Sequence, residues 1–311
     1  MFLIIVNPMA SRGLSVLRLP VLKSVLDSKK IPYEVYITAK PGDGYAHTLA
    51  FLRRSSCWGV IGLGGDGIMQ EIVTGMVDAY PGANQGKKIP VSLCMLPAGS
   101  CNDFITTVEG AKYNPNTRYK PNPLDVISKF MDRVLNNKPK TIDVITAAKQ
   151  AFINVGHVGM DVKNAVNAKK YREKFDQFAY MIASLEGVFK YETISLAFET
   201  ENDKVEGRFT LLAVCNGQYY GFGARISHCA VLDDGIMNLT VVDSMSGIKT
   251  LINLGRFVWL NHRGDKCIRF YTSKELKLTV PATILCLDGN FYPIEGDVSF
   301  KVLPRVLDLH Y

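Results

Sequence analysis

No two cysteines in this chain stand as C-x-x-C, and the seven present (Cys57, Cys94, Cys101, Cys215, Cys229, Cys267 and Cys286) are odd in number and scattered, mostly inside apolar runs. That pattern excludes a zinc ribbon or a dithiol redox motif and predicts buried, reduced thiols. The five histidines form no H-E-x-x-H, and no G-x-S-x-G occurs, which sets aside zincin and α/β-hydrolase chemistry. A Walker-type P-loop is missing too, because Gly86-Lys87 lies in a hydrophilic loop without the required spacing. Apolar runs stay short of the roughly 18 residues that a spanning helix needs. The start, MFLIIVNPMAS, lacks the basic segment and long apolar stretch of a signal peptide and reads as a first strand, so the expected location is the cytosol. There is no internal repeat and no low-complexity segment.

What remains is the composition of a soluble globular protein. The 311 residues are 47% apolar and 21% charged, enough for two domains with separate cores. A net charge of +7 suits an enzyme of phosphorylated ligands or one that visits an anionic membrane surface, and equally suits neither. Nothing in it calls for a nucleic-acid partner. The oligomeric state stays open, a homodimer included.

Two periodicities divide the chain. Over residues 1–138 strand and helix alternate: FLIIVNP, then LSVLRLPVLKSVLDSKK with Pro20 expected in its first turns, then YEVYIT, DGYAHTLAFLRRS, WGVIGLGG, IMQEIVTGMVDAY, VSLCMLP and CNDFITTV. Such alternation implies a doubly wound, Rossmann-like parallel sheet with helices on both faces, whose ligands bind at the carboxyl ends of the strands. The stretch KYNPNTRYKPNPLD is a surface excursion. Residues 139–299 then carry short, mostly alternating strands broken by turns, with helical patterns only at Ala165 to Phe189 and Ile248 to Leu260. This predicts a β-sandwich second domain, with residues 300–311 able to return to the first, and a site in the cleft between the two.

Two turns sit where ligands of such a sheet bind: GLGGDGIMQE (Gly62 to Glu71) and PAGSCNDF (Pro97 to Phe104). The first matches G-x-G-x-x-G, yet the next strand ends in Ala, Gly and Ser, without the carboxylate that a dinucleotide ribose needs. Consecutive glycines bare backbone N–H groups, and the helix start behind them adds partial positive charge, which together make an anion site. An aspartate inside an anion site is paradoxical unless it shares a cation with the ligand. Mg²⁺ bridging Asp66 and a phosphate resolves this, since hard cations take carboxylate and phosphate oxygens together.

These residues resemble the diacylglycerol kinase catalytic family, which includes bacterial soluble lipid kinases and sphingosine and ceramide kinases. Asn7-Pro8 with Ser11 and Gly13 looks like its N-P opening, Gly64 to Ile68 its GGDGT, and PAGSCNDF its P-x-G-T-x-N-D-F with Ser100 for threonine. NVGHVGMD, NGQYYGFG, AVLDDGIMNLTVV and LDGN match its later elements in order. The resemblance implies phosphorylation of a lipid hydroxyl by ATP, with diacylglycerol the expected acceptor, taken from a membrane surface that the protein contacts transiently and peripherally. It implies that Asn7, Ser11, Thr38, Gly64, Gly65, Asp66, Gly67, Gly99, Ser100 and Asn102 line the nucleotide. It further implies that Asp288 is the base, that Asp234 with the carbonyls of Val231 and Ile236 binds a structural Mg²⁺, and that Asp66 and Asp143 lie near a catalytic metal.

Plainer readings stand beside these. Asp288-Gly289 could be only a hairpin turn and Asp233-Asp234-Gly235 only a bare one. His157 and His228 read as structural, and Tyr219, Tyr220 and Phe222 as either lipid-facing or packing. The pattern also breaks twice: Ile68 replaces a threonine, and Asn290 replaces a glutamate beside the base. Losing that carboxylate is expected to weaken cation binding. The alternatives to a lipid kinase are therefore a nucleotide-binding regulatory relative without turnover and an NAD kinase-like enzyme.

Overall fold

The computed structural model describes residues 1–99, 101–110, 122–159, 193–221, 223–244 and 266–311. Ser100, Asp161, Phe222, and the helical patterns expected at 165–189 and 248–260 lie outside the described residues.

β1 (Phe2–Val6) is an unbroken apolar run, and all five of its residues are buried, as befits a strand covered on both faces. It pairs in parallel with β2 (Tyr33–Ile37) on one side and β3 (Gly59–Gly64) on the other, and β3 pairs with β4 (Ser92–Pro97). The side chains of β1 alternate between two cores. Leu3 and Ile5 pack with Phe51 of α2 (Asp43–Arg54) and Met69, Ile72 and Met76 of α3 (Asp66–Ala79). Phe2, Ile4 and Val6 pack with Leu22 and Leu26 of α1 (Leu14–Ser28) and with Ile127 and Phe130 of α5 (Pro123–Asn136). A short α4 (Asp103–Glu109) follows β4. Pro20 lies in the second turn of α1, on the exposed side of the helix. The α5 start has an ordinary cap, with Pro123 in first position and the Asn122 side chain accepting the Leu124 N–H at 3.1 Å.

The strands of the second half are β5 (Lys140–Ala147), β6 (Gln150–Phe152), β7 (Val155–Gly159), β8 (Ile194–Glu199), β9 (Lys204–Cys215), β10 (Tyr219–Tyr220), β11 (Ala224–Arg225), β12 (Met237–Asp243), β13 (Ile268–Ser273), β14 (Glu275–Leu287) and β15 (Asn290–His310). Their inward side chains, among them Phe152, Phe198, Phe209, Leu239, Leu278, Leu285 and Phe300, close a core of their own.

One strand joins the halves. β15 pairs antiparallel with β14, then with β5, and its last residues Leu309 and His310 lie parallel to Leu93 and Cys94 of β4. The hydrogen-bonded order is accordingly continuous, β13-β12-β9-β7-β14-β15-β4-β3-β1-β2. A register shift between Leu303 and Leu307, with Arg305 at φ 53°, lets β15 turn from one partner set to the next. The geometry fixes the β14–β15 hairpin beside the parallel sheet. Cys57, Cys94, Cys215 and Cys286 are buried, whereas Cys229 is exposed, against the expectation of buried thiols. Among the described residues no helix is long and apolar enough to cross a membrane.

Candidate functional site

In the parallel sheet, register brings the carboxyl ends level: Val6 lies beside Leu63, and Gly64 beside Pro97. The turns after β3 and β4 therefore meet. Asp66 opens α3, and its two carboxylate oxygens accept the backbone N–H groups of Asp103 (3.0 Å) and Phe104 (3.1 Å) at the start of α4. It thus supplies the acceptors that the first amides of a neighbouring helix lack. Desolvation raises its pKa, against the pull of those amides.

The glycines also make room for other parts of the protein. A Cβ on Gly99 would stand 2.3 Å from the Gly65 Cα, and one on Gly64 would stand 2.6 Å from Ile68 Cγ2. A Cβ on Gly67 would stand 3.0 Å from Asn290 Oδ1. Close approach within the protein accounts for these three positions. Ile68, at the threonine position, is buried, and its Cδ1 would be 2.5 Å from a Cβ on Gly44, so it packs between β3 and the start of α2. Asn102, at φ 52°, grips Gly99 with both ends of its amide, accepting from the Gly99 nitrogen at 2.9 Å and donating to its carbonyl at 2.8 Å. Asn7 Oδ1 accepts the Met9 N–H at 3.0 Å, Ser11 sits at φ 43°, and the buried Thr38 hydroxyl donates to the Val6 carbonyl at 3.2 Å. All of these line the ends of β1 to β4, whereas Ser100 lies outside the described residues.

Asp288 stands at the tip of the β14–β15 hairpin in the left-handed conformation, φ 46°, with Gly289 at φ 91° behind it. It is buried, and Ile153 (2.9 Å), Asn154 (3.1 Å) and Val155 (2.8 Å) donate three successive backbone N–H groups to its carboxylate. A hairpin aspartate of purely local use would point at its own turn; this one is held by another segment. Burial pushes its pKa up to about 7, the three amides pull it down, and the charge of Asp66 pushes it up again. The Asn154 N–H lies between the two oxygens, 3.1 and 3.3 Å from them, so three donors serve the roughly four lone-pair directions of the ionised carboxylate and a further partner competes with a shared donor.

Asp143 has partners of its own. Its fully buried carboxylate accepts the Gly235 N–H at 2.6 Å and the Arg305 N–H at 2.7 Å, while its own N–H donates to the Leu232 carbonyl at 2.6 Å. It therefore secures the Asp233-Asp234-Gly235 turn to the bend of β15. Burial raises its pKa, and Asp234 and Asp233 add to the rise. Asp234 Oδ1 accepts the Ile236 N–H at 3.1 Å, and Val231 is exposed. Among the described residues no three His, Cys, Asp or Glu side chains converge on one point, so a cation here would need carbonyl or ligand oxygens besides. Mg²⁺ asks for no more than that: one or two carboxylates plus phosphates and waters. Asp66 fits, since two amides leave lone pairs on its oxygens and its charge already presses on Asp288.

Further polar residues complete the assembly. Buried Gln70 of α3 donates to the Ala151 carbonyl and the Thr74 hydroxyl, each at 3.0 Å, and accepts from Asn290 Nδ2 at 2.7 Å and the Tyr292 hydroxyl at 2.8 Å. Thr107 of α4 donates to Asn154 Oδ1 at 3.2 Å and accepts the Gln218 N–H at 3.1 Å. Asn154 Nδ2 donates to the Tyr219 carbonyl at 2.9 Å. For Gln70 and Thr74 the sequence signal is polarity out of place, since they interrupt the apolar face of IMQEIVTGMV.

A parallel α/β domain whose acidic turn faces a buried aspartate on the hairpin of a β-sandwich defines a two-domain class, and the comparisons say which. Residues 1–147 match the family model described as "Diacylglycerol kinase catalytic domain", and residues 154–311 match "YegS C-terminal NAD kinase beta sandwich-like domain". The chain belongs to this lipid kinase family. It is 25% identical over 250 residues to "Probable lipid kinase YegS-like" of Shewanella frigidimarina, covering 80% of this chain and 74% of that protein. It is 28% identical over 254 residues to "Putative lipid kinase" of Staphylococcus carnosus, covering 80% and 75%. A solved "putative diacylglycerol kinase from Bacillus anthracis str. Sterne" shares the fold, with a TM-score of 0.74 at 22% identity over 100% of this chain and 96% of that one.

Proposed function

We propose that the protein transfers the γ-phosphoryl group of ATP to a lipid hydroxyl, with diacylglycerol the acceptor and phosphatidic acid the product. The observation that carries this reading is Asp288. A carboxylate held by three amides, with a pKa about 7, is poised to accept a proton near neutral pH. In the proposed reaction the acceptor hydroxyl donates to the Asp288 carboxylate, in place of a shared amide contact, and gives up its proton there. Its oxygen bonds to the γ-phosphorus as the bond to the β,γ-bridging oxygen breaks, and ADP leaves. The protein's part is alignment and charge neutralisation. Asn7, Ser11, Thr38, Gly64 to Gly67, Gly99, Ser100 and Asn102 are the proposed nucleotide lining. Asp66 is the residue to hold a Mg²⁺ that neutralises phosphate charge. Asp234, with the Val231 and Ile236 carbonyls, remains the proposed structural site.

The acceptor is proposed to come from a membrane surface by peripheral contact. The test is a labelling assay with γ-labelled ATP, Mg²⁺ and mixed micelles of diacylglycerol, monoacylglycerol, sphingosine or ceramide, with NAD as a further acceptor. Label in diacylglycerol supports the reading. Label in NAD alone, or saturable ATP binding with no labelled product, rejects it.

A further inference from the structure

The break in the family pattern at Asn290 has its explanation in Gln70. The Asn290 amide nitrogen donates to the Gly67 carbonyl at 2.8 Å and to Gln70 Oε1 at 2.7 Å. Both targets are acceptors. The Gly67 carbonyl is so by nature. Gln70 is so because its own amide nitrogen is committed to the Ala151 carbonyl, which can only accept. The network therefore fixes the orientation of both amides from backbone carbonyls at its two ends. The Tyr292 hydroxyl is a second donor to the same Gln70 oxygen. A carboxylate at position 290 would set its oxygens against two acceptors in a half-buried place.

We infer that Asn290 is a positioning residue, specified by Gln70, that locks the Asp288 hairpin onto the helix carrying Asp66. Asn290 lies two positions after Asp288, and Gly67 is the residue after Asp66, so this amide ties the Asp288 hairpin directly to the start of α3. Gly67 has no Cβ where one would lie 3.0 Å from Asn290 Oδ1, which is the room the tie needs. The asparagine is thus a built part of this chain's site, and restoring the acidic residue found in relatives by the resemblance would harm it. The catalytic consequence rests on the lipid kinase reading; the lock itself does not.

Two measurements on the intact protein separate these. The first is a double-mutant cycle in urea unfolding with Asn290→Ala and Gln70→Ala. Coupled residues give a double variant far less destabilised than the sum of the single ones, whereas additive effects overturn the lock. The second is turnover per folded molecule. Asn290→Ala and Asn290→Glu are each expected to lower kcat about ten- to a hundredfold with KM for ATP little changed, the cost of a misaligned or unpaired buried group. Tyr292→Phe, which leaves Gln70 with its Asn290 donor, retains most of the rate. A kcat that is unchanged or raised in Asn290→Glu overturns the positioning role. Absent turnover in the wild-type protein would reject the kinase reading, while the unfolding cycle still decides the lock.

Discussion

Gly65 and Gly99 face each other across the ends of β3 and β4 so closely that a Cβ on Gly99 would lie 2.3 Å from the Gly65 Cα. The atom in the way is backbone and cannot rotate aside, so the two helix-opening turns are in register only while both residues lack a side chain. Gly99→Ala is expected to destabilise the protein by about 1–3 kcal/mol through overpacking. Gly13→Ala is the control: that glycine, at φ +90°, has nothing within 4 Å of a Cβ and should cost about 1–2 kcal/mol from backbone strain alone. Turnover separates the two further, because only Gly99→Ala shifts Asp66 relative to α4. Equal stability and equal activity for the two variants would show that the contact is unimportant.

Asp288→Asn should lower turnover by about 10²–10⁴, the range that general-base catalysis supplies. Nucleotide affinity should stay nearly as it was, because the side chain faces the acceptor hydroxyl in the proposed reaction. Isothermal titration with ATP beside the labelling assay reads both. Wild-type turnover in the variant would remove Asp288 from the chemistry.

The pH dependence follows from the same group. Its carboxyl is raised from 3.8 to about 7, so kcat/KM should climb through pH 7 as the base ionises and then level off. Stability moves the other way. Between those values the folded protein keeps a proton that the unfolded chain has released, so this group's contribution to stability falls as pH rises from 3.8 toward 7. The raised values of Asp66, Asp143 and Asp234 act in the same direction. Subtracting an Asp288→Asn unfolding series from the wild-type one, over pH 4 to 8, isolates its share. A difference that grows more favourable to the wild type with rising pH contradicts the assignment.

Asp143→Ala tests where that aspartate acts. It leaves the Gly235 and Arg305 amides without their acceptor in a buried place, at a cost of roughly 3 kcal/mol. Activity per folded molecule should be retained at saturating Mg²⁺. The opposite outcome, full stability with turnover lost, would return Asp143 to the catalytic centre.

Much of this was legible beforehand, for reasons that can be named. FLIIV is apolar throughout because a parallel central strand is covered on both faces, and β1 is buried over its whole length. The order of strands and helices up to α4 follows from the change of period at each turn. The tertiary structure adds what a local rule does not carry. Pro20, in the second turn of α1, is tolerated on the exposed side of the helix. Gly64, Gly65 and Gly67 each also admit another part of the protein, a demand that their own turn does not show. Asp143 anchors the turn before β12 to the bend of β15, a tie between residues far apart in the chain.

By itself the amino-acid sequence determined the two periodicities, the turns that end β3 and β4, and the aspartates at positions 66 and 288, because these depend on residues near one another in the chain. Only the tertiary structure decided what each aspartate holds. The donors to Asp66 lie 37 and 38 residues away, and those to Asp288 lie 133 to 135 residues away. Asn290 and Gln70, 220 residues apart, became a pair for the same reason. A buried polar group takes whichever partner the fold brings within reach, and no local pattern records that choice.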